Sequence, residues 1–229
     1  MIAANTVIDP KAELASDVQV GPFCVIGAEV EIDSGTVIGP HCVISGPTRI
    51  GQDNCIYSFA SIGEAPQDKK YDGEPTQLIV GHRNTIREYC TLNRGTVQDR
   101  GYTEVGDDNW IMAYVHIAHD CVVGNQTVLA NAASLAGHVS IGDYAVLGGF
   151  TLIHQFCRVG AHAFTAMGSA VNRDVPPFVT VSGNPAKPYG INTEGLRRRG
   201  FNAQRISQLR AAYKAIYREG LRLETAIDR

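Results

Sequence analysis

A histidine followed directly by a carboxylate stands near the middle of the chain, at His119 and Asp120. An imidazole that a neighbouring carboxylate orients can act as a general base near neutral pH. The pair lies inside a six-residue repeat of aliphatic residues. If three hexads make one turn of a coil, a step of 18 residues leads from His119 to Gly137, and a second step leads to Gln155. The pattern therefore predicts that a base, a glycine and an amide stack in one column on successive turns.

The next column of the same coil would hold Asp120, His138 and Phe156. A backbone N–H at Gly137 could stabilise an oxyanion beside the base. The sequence lacks the G-x-S-x-G motif that supplies a nucleophilic serine in many hydrolases. We therefore expect a substrate hydroxyl or amine to be the nucleophile, and predict direct group transfer in which His119 removes a proton from the acceptor.

Two alternatives come from other classes of function. His116, His119 and His138 could form a three-histidine zinc site with an open fourth position, as in hexapeptide-repeat carbonic anhydrases. The three-residue step between His116 and His119 is shorter than the spacing in that zinc family, so we expect no metal here; stoichiometric zinc after purification would favour the zinc enzyme. The second alternative is a non-catalytic hexapeptide scaffold, which measurable group transfer would exclude.

These residues depend on a repeat that begins near the N-terminus. Aliphatic residues recur every six positions from Ile8 to Ile62, and again from Val105 to Val171 with Thr165 as the one lapse. A hexapeptide period is typical of a parallel β-helix, in which each hexad supplies a short strand and a corner. The aliphatic residue points inward, the residue two positions before it is small, and Gly or Asn is expected to adopt the unusual corner dihedrals.

Two polar segments interrupt the repeat. The first lies between Gly63 and Ile79 and contains several Pro, Gly and charged residues; the second, around residues 98–103, shifts the phase by one residue. We expect both to be loops that leave the coil and carry function. After Val171 the repeat fades, and helical spacing follows from Asn202, a candidate N-cap, to Gly220, a candidate stop.

Composition bounds the class of protein. A formal net charge of -3 excludes a generally basic nucleic-acid binder. The chain has no apolar run long enough to span a membrane and no signal peptide at its start, so we expect a cytoplasmic protein without stable membrane insertion. The six cysteines include no C-x-x-C pair, and we expect small buried thiols at the corners of the coil rather than disulfides or metal ligands.

Charge is distributed unevenly along the chain. Residues 192–229 contain nine Lys and Arg against four Asp and Glu, a balance of +5, whereas the remaining residues contain 11 against 19, a balance of -8. A solvated helix face and a docking surface for an acidic partner both explain this asymmetry.

Several segments at fixed spacing carry a resemblance that covers essentially the whole chain. They are Tyr57–Gly63, Lys70–Thr76, Asn93–Gln98, Ala118–Asp120, Leu135–Val139, His154–Phe156 and Glu194–Phe201. With these segments the chain resembles the UDP-N-acetylglucosamine O-acyltransferases, which take their acyl group from acyl carrier protein in the first step of lipid A synthesis. The resemblance implies an all-β fold, a left-handed parallel β-helix of hexapeptide repeats with a C-terminal α-helical segment. The expected division is a β-helix acyltransferase domain over residues 1–190 and a helical segment over residues 191–229.

The resemblance also implies roles for individual residues. His119 would be the general base for the 3-hydroxyl of the glucosamine, Asp120 would support it, and the Gly137 N–H would stabilise the thioester oxyanion. The residues implied to hold the sugar and acyl groups are Asp68, Lys70, His116, His138 and Gln155, and those implied to contact the nucleotide are Asn192, Glu194, Arg198 and Arg199. Met167, where some relatives have glycine, would fill the far end of an apolar groove and so limit the acyl chain to about ten carbons. Each methylene that is kept out of the groove loses about 0.8 kcal/mol of burial energy.

The implied assembly is a homotrimer with its sites between subunits. The implied donor is acyl carrier protein with the acyl group on 4'-phosphopantetheine, the acceptor is UDP-N-acetylglucosamine, and no cofactor is expected. The related N-acyltransferases carry a domain before the coil, for which the start at Ile8 leaves no room. Asn93 replaces a histidine of the family motif, and the chain ends about one helical hairpin before the family's usual C-terminus. The residues leave open the acyl length, an oxygen or nitrogen acceptor, the role of Asn93, and carrier-protein binding by the short C-terminus.

Overall fold

The computed structural model describes residues 1–227, which form a left-handed parallel β-helix followed by three short helices. Strands are numbered in chain order, and every third strand belongs to the same sheet. The first sheet contains β1 (Val7–Ile8), β4 (Val25–Ile26), β7 (Val43–Ile44), β10 (Ser61–Glu64), β13 (Thr91–Asn93), β16 (His116–Ile117), β19 (Ser134–Leu135), β22 (Leu152–Ile153) and β25 (Ala170–Val171).

The other two faces of the triangular coil are built in the same way. The second sheet contains β2 (Glu13–Leu14), β5 (Val30–Ile32), β8 (Thr48–Ile50), β11 (Gln77–Val80), β14 (Tyr102–Val105), β17 (Val122–Val123), β20 (Ser140–Ile141) and β23 (Arg158–Val159). The third sheet contains β3 (Gln19–Val20), β6 (Val37–Ile38), β9 (Cys55–Ile56), β12 (Thr85–Ile86), β15 (Trp110–Ile111), β18 (Val128–Leu129), β21 (Val146–Leu147), β24 (Phe164–Thr165), β26 (Val179–Ser182) and β27 (Lys187–Ile191).

The predicted 18-residue turn sets the register. Val7 pairs with Val25 and Val25 with Val43 along the first sheet, in parallel. The repeat aliphatics point into the prism, where Ile26, Ile44 and Ile62 are almost completely buried. Burying a side chain of this size stabilises the fold by about 1.5–3 kcal/mol. Since every coil contributes three such residues, one continuous core runs along the axis.

The prediction that Gly or Asn would adopt the corner dihedrals is wrong for most corners. Residues with left-handed φ are largely aromatic, histidine or acidic, such as Phe23 (62°), His41 (60°) and Tyr89 (59°). The aromatic and histidine rings at these corners stack on rings of adjacent coils; the centroids of the Phe23 and His41 rings, for example, lie 5.0 Å apart. The glycine after the aliphatic serves close packing instead, because a Cβ on Gly21 would lie 2.8 Å from the Pro40 nitrogen.

Five of the six cysteines occupy the buried corner positions that were predicted, whereas Cys55 lies in strand β9. Cys24, Cys42, Cys90, Cys121 and Cys157 are buried, Cys55 is half-buried, and all six are free thiols. The Cys42 and Cys121 thiols donate hydrogen bonds to backbone carbonyls of the next coil, at 3.1 Å each. The thiols therefore fill corners and satisfy carbonyl groups.

The chain leaves the coil through β27, which pairs antiparallel with β26. The helices are α1 (Thr193–Arg198), α2 (Ala203–Tyr217) and α3 (Leu223–Ile227). Asn202 caps α2 as predicted, because its side chain accepts a hydrogen bond from the Arg205 N–H. The helix ends three residues before Gly220, since the N–H groups of Arg218 and Glu219 both bond to the Lys214 carbonyl. No helix within residues 1–227 is long and apolar enough to cross a membrane.

Candidate active site

The catalytic candidates lie at the corner where the first sheet passes into the second. The turn between β16 and β17 holds His119 and Asp120, and the turn between β19 and β20 holds His138. Both interruptions of the repeat leave the coil at this same corner, between β10 and β11 and between β13 and β14. Paired residues there are 30 and 25 positions apart, not 18, and the register resumes on the next strand. The two loops and the histidines therefore share one edge of the prism.

His119 and Asp120 form a close hydrogen-bonded pair. The Nδ1 atom of His119 lies 2.8 Å from Oδ2 of Asp120, and both side chains are buried. Because a carboxylate only accepts hydrogen bonds, Nδ1 carries the proton. In the neutral ring, Nε2 of His119 is therefore the unprotonated nitrogen, which is the tautomer that a general base at this corner requires.

Asp120 is itself held by two threonines. The Thr96 hydroxyl donates to Oδ2 at 2.6 Å, the Thr96 N–H donates to Oδ1 at 2.9 Å, and the Asp120 N–H donates to the Thr103 hydroxyl at 2.8 Å. Burial raises the pKa of the Asp120 carboxyl, but the hydrogen bonds from His119 and Thr96 outweigh it, so that the pKa lies below its ordinary value. The group beside His119 is therefore a carboxylate at neutral pH.

Gly137 lies one coil beyond His119 in the predicted column. A Cβ built on Gly137 would lie 2.5 Å from Cε1 and 2.7 Å from Nε2 of His119, so the imidazole packs directly on the glycine backbone. The Gly137 carbonyl accepts a hydrogen bond from the Phe156 N–H. Within residues 1–227 the Gly137 N–H has no hydrogen-bond acceptor. A donor without a partner thus stands beside the base.

His138 completes the cluster from the same turn. Its ring meets the edge of the His119 ring at 5.0 Å and stacks on Phe156 at 4.5 Å. Its Nδ1 lies 2.9 Å from Oδ2 of Asp99, on the second interrupting loop, and 3.8 Å from Oδ2 of Asp120. The structure therefore contains two imidazoles and two carboxylates in contact.

The arrangement does not assemble the three-histidine zinc site. The ligand atoms that converge, all within 4.8 Å of one another, belong to His119, Asp120 and His138. His116 stands apart on β16, with its Nδ1 hydrogen-bonded to the Thr91 hydroxyl at 2.7 Å. Burial, and then the charge of His119, lower the pKa of His116. A neutral His116 at pH 7 is suited to hydrogen bonding.

Comparisons with known proteins agree about the family. The family model described as UDP-N-acetylglucosamine O-acyltransferase, domain 2, matches residues 174–229, and the bacterial transferase hexapeptide model matches residues 102–137. A protein of Halorhodospira halophila, named acyl-[acyl-carrier-protein]–UDP-N-acetylglucosamine O-acyltransferase, is 63% identical over 98% of this chain and 87% of its own length. The chain belongs to the UDP-N-acetylglucosamine O-acyltransferase family.

Further members of the family give the same result. A protein of the same name from Herminiimonas arsenicoxydans is 59% identical over 99% of this chain and 86% of its own length. The crystal structure of the Acinetobacter baumannii enzyme LpxA superposes with a TM-score of 0.96 at 50% identity, covering 99% of this chain and 88% of that one. The resemblance inferred from the motifs is confirmed, and this chain is an acyltransferase enzyme of the family.

Three more family positions lie at or near the corner that carries His119. Gln155 is exposed at the same corner, two coils beyond His119, and Asp68 and Lys70 lie on the first interrupting loop. That loop is held against the coil by the buried Asn93, whose amide donates to the Ala65 carbonyl at 2.8 Å. Arg94 donates to the carbonyl of Gly63 and to the Tyr71 hydroxyl. Asn93 therefore contacts the loop that carries Asp68 and Lys70.

The positions expected to contact the nucleotide lie elsewhere on the chain. Asn192, Glu194 and Arg198 line a groove of about 790 Å³ between α2 and the outer side of the third sheet. In a three-sided coil that sheet lies opposite the corner that carries His119. Arg199 is placed differently again: its guanidinium lies 4.7 Å over the Tyr144 ring and donates to Gln126. One chain therefore does not bring these four residues to its own catalytic pair.

Met167 lies at the other edge of the first sheet. It stands in the turn between β24 and β25, between two and three coils beyond His119, and is 78% exposed, so it is not a core residue. Met167 is therefore a surface residue at the edge of the first sheet that does not carry His119.

Sequence reasoning missed four contact residues of the site: Thr96, Asp99, Thr103 and Arg94. All four lie in or beside the second interruption of the repeat. The one-residue shift in the phase of the hexad repeat was the sequence signal for this loop. The hexad pattern could not give the contacts, because the loop residues do not follow the period.

Proposed function

We propose that this chain transfers a 3-hydroxyacyl group directly from the thioester of acyl carrier protein to the 3-hydroxyl of UDP-N-acetylglucosamine, the first step of lipid A biosynthesis. The observation that carries the proposal is the buried pair of His119 and Asp120 facing Gly137, in a chain 63% identical to a relative named for this reaction. No cofactor takes part beyond the 4'-phosphopantetheine of the donor. We place the reaction in the cytoplasm.

His119 acts as the general base in this proposal. Its Nε2 accepts the proton of the sugar hydroxyl as the oxygen forms a bond to the thioester carbon. The negative charge on the former carbonyl oxygen is stabilised by the Gly137 N–H. The intermediate collapses, the carbon–sulfur bond breaks, and the imidazolium returns its proton to the phosphopantetheine thiolate. The products are the ester and the free thiol, and Asp120 stabilises the imidazolium between the two steps.

Direct transfer is favoured over a covalent cysteine intermediate. Cys121 is the cysteine nearest to the pair in sequence, and it is buried with its thiol donating to the Ala136 carbonyl. Burial raises the pKa of Cys121 to about 12. The thiolate is the nucleophilic form of cysteine, so a thiol with this pKa is a poor nucleophile.

A second copy of the chain would complete the site. Asn192, Glu194 and Arg198 line a groove on the face opposite His119, so a nucleotide bound there cannot present its sugar to the same chain's base. We propose a homotrimer in which these residues and Arg199 contact the nucleotide while the sugar and acyl groups contact Asp68, Lys70, His116, His138 and Gln155 of a neighbouring copy. An analytical ultracentrifugation experiment that gave only monomers at assay concentration would contradict this arrangement.

Substitution of His119 tests the proposal. His119→Ala should lower kcat by roughly 10²–10⁴, as expected for loss of a general base, while the Kd of the UDP-sugar changes little. His41→Ala removes an exposed imidazole at another corner and should keep the parent kcat. Acyl transfer is measured with acyl-carrier-protein thioesters and UDP-N-acetylglucosamine. If His119→Ala retained near-parental kcat, the assignment of the base would be wrong.

A further inference from the structure

The second interrupting loop lies against both imidazoles of the site. The loop follows β13, and its turn closes on Thr96, whose carbonyl accepts hydrogen bonds from the N–H groups of Asp99 and Gly101. Thr96 is buried, whereas Asp99 is exposed at the end of the turn. The Thr96 side chain bonds to Asp120 and the Asp99 side chain bonds to His138. One short turn thereby contacts both halves of the cluster.

We propose that Thr96 and Asp99 are positioning residues of the active site: Thr96 orients His119 through Asp120, and Asp99 holds His138 away from Asp120. The inference rests on the proposed function, because it assigns roles within the same site. Neither residue contacts the reacting atoms in this arrangement. Both act on the hydrogen bonds between the imidazoles and the carboxylates.

Thr96 fixes the plane of the Asp120 carboxylate. Its hydroxyl and N–H bond to different oxygens of that one group, at 2.6 and 2.9 Å. The terminal torsion of an aspartate is broad, so a carboxylate held by a single hydrogen bond can rotate. Two donors from one residue remove that freedom. The remaining lone pair of Oδ2 is then directed at His119 Nδ1, 2.8 Å away.

Asp99 prevents competition between the two imidazoles. His138 Nδ1 lies 2.9 Å from Asp99 and 3.8 Å from the Asp120 oxygen that His119 uses. Without Asp99, Asp120 would be the nearest carboxylate left for His138. A small rotation of the His138 ring would bring it into hydrogen-bond range of Asp120. The bond to Asp99 therefore reserves Asp120 for His119 and leaves Nε2 of His138 available to a ligand.

Paired variants of Thr96 test the first half. Thr96→Val removes the hydroxyl at nearly constant volume and should lower kcat roughly 10–100-fold, the usual cost of removing a group that orients a ligand or base, with KM for the UDP-sugar within about twofold. Thr96→Ser keeps the hydroxyl and should restore most of kcat. The matched control is Thr36→Val, which removes another buried hydroxyl that bonds to a backbone carbonyl at 2.9 Å on a distant coil.

The outcomes of this experiment are distinct. A fall in kcat for Thr96→Val, with rescue by Ser and none for the control, supports the positioning role. Unchanged kcat in Thr96→Val overturns it. Equal losses in Thr96→Val and Thr36→Val also overturn it, because the cause would then be the general loss of a buried hydroxyl.

Nitrogen-15 NMR of the histidine rings in the unliganded protein tests the second half. The parent should show His119 and His138 with the proton on Nδ1, since each faces a carboxylate. Asp99→Ala should shift both sets of ring resonances, because His138 then competes for Asp120, and should lower kcat. Asp99→Asn keeps an acceptor oxygen and should lie closer to the parent. Arg100→Ala, on the same turn, is the control and should change neither ring.

This readout separates the inference from the proposed function. The ring resonances report hydrogen bonding whether or not the protein transfers acyl groups, so a parent without acyl transfer would contradict the proposed function alone. If Asp99→Ala left the His119 and His138 resonances unchanged, the positioning role of Asp99 would be wrong even in a fully active enzyme.

Discussion

Adding one methyl group at Gly137 should displace the proposed base without removing any functional group. The Cβ of Gly137→Ala would lie 2.5 Å from Cε1 and 2.7 Å from Nε2 of His119. Gly137 is not among the residues with left-handed φ, so alanine meets no dihedral penalty there. The variant also keeps the Gly137 N–H, the proposed oxyanion donor. It therefore isolates the position of the imidazole.

The magnitude follows from the overlap. Carbon atoms in contact lie about 3.5–4.0 Å apart, so the imidazole must withdraw by roughly 1 Å. Withdrawal stretches or breaks the 2.8 Å bond to Asp120, because the carboxylate is fixed on its other side by Thr96. A misplacement of about 1 Å costs roughly 10²-fold in rate. Overpacking of a buried site costs about 1–3 kcal/mol of stability, so the protein should still fold.

Steady-state acyl transfer and thermal unfolding together check this reasoning. We expect Gly137→Ala to lose about 10²-fold in kcat, with a moderate fall in Tm, in keeping with the displacement. Gly149→Ala is the matched control, because its Cβ would meet only the Asn131 carbonyl oxygen at 3.4 Å. Parental kcat in Gly137→Ala would refute the contact between base and glycine. An equal loss in Gly149→Ala would show that the effect is not specific to His119.

Three further predictions concern the acyl length, the basic C-terminal residues and acid stability. Met167→Gly should shift donor preference from about ten carbons toward about fourteen, since each buried methylene contributes about 0.8 kcal/mol; an unchanged profile across a series of acyl-carrier-protein donors would place the length limit elsewhere. Charge reversal at Arg205 and Arg210, within the basic residues 192–229, should raise KM for the acyl-carrier-protein donor and weaken the salt dependence of that KM. Unchanged values would mean that these arginines form only a solvated surface. Burial holds the folded-state pKa of His116 below its unfolded value of about 6.5, so the unfolded chain binds more protons as pH falls through that range, and stability decreases. His116→Gln should therefore flatten the decline of Tm between pH 7 and pH 5, and an identical decline in parent and variant would contradict this sign.

The fold could be predicted from the sequence because one constraint repeats in every coil. An aliphatic residue at every sixth position, such as Ile26, predicts the inward direction of the side chain, and three hexads to a turn then give the 18-residue register. The corners were not predicted correctly, because their conformation depends on neighbours one coil away. Phe23 adopts left-handed φ beside a stacked His41 ring, and no local pattern reveals that partner.

The active site, too, could be predicted only in part. The stacking of Gly137 on His119 followed from the register alone, and the structure places the two in contact. The support that Thr96 and Asp99 give could not be predicted, because both belong to a loop that leaves the period. Nor could the separation of Asn192 from His119 be predicted, since it depends on which face of the coil the C-terminal segment covers.

The 18-residue turn also determines which insertions and deletions in the coil keep the active-site residues aligned. Loss of one hexad between His119 and Gly137 would rotate everything after it by one face, so that the glycine would reach a different edge of the prism while most aliphatic residues still pointed inward. Such a protein could remain folded and yet lose its catalytic activity. Gain or loss of a whole turn preserves every column and changes only the length of the rod. Lineages of this enzyme should therefore differ in the length of the coil only by whole turns.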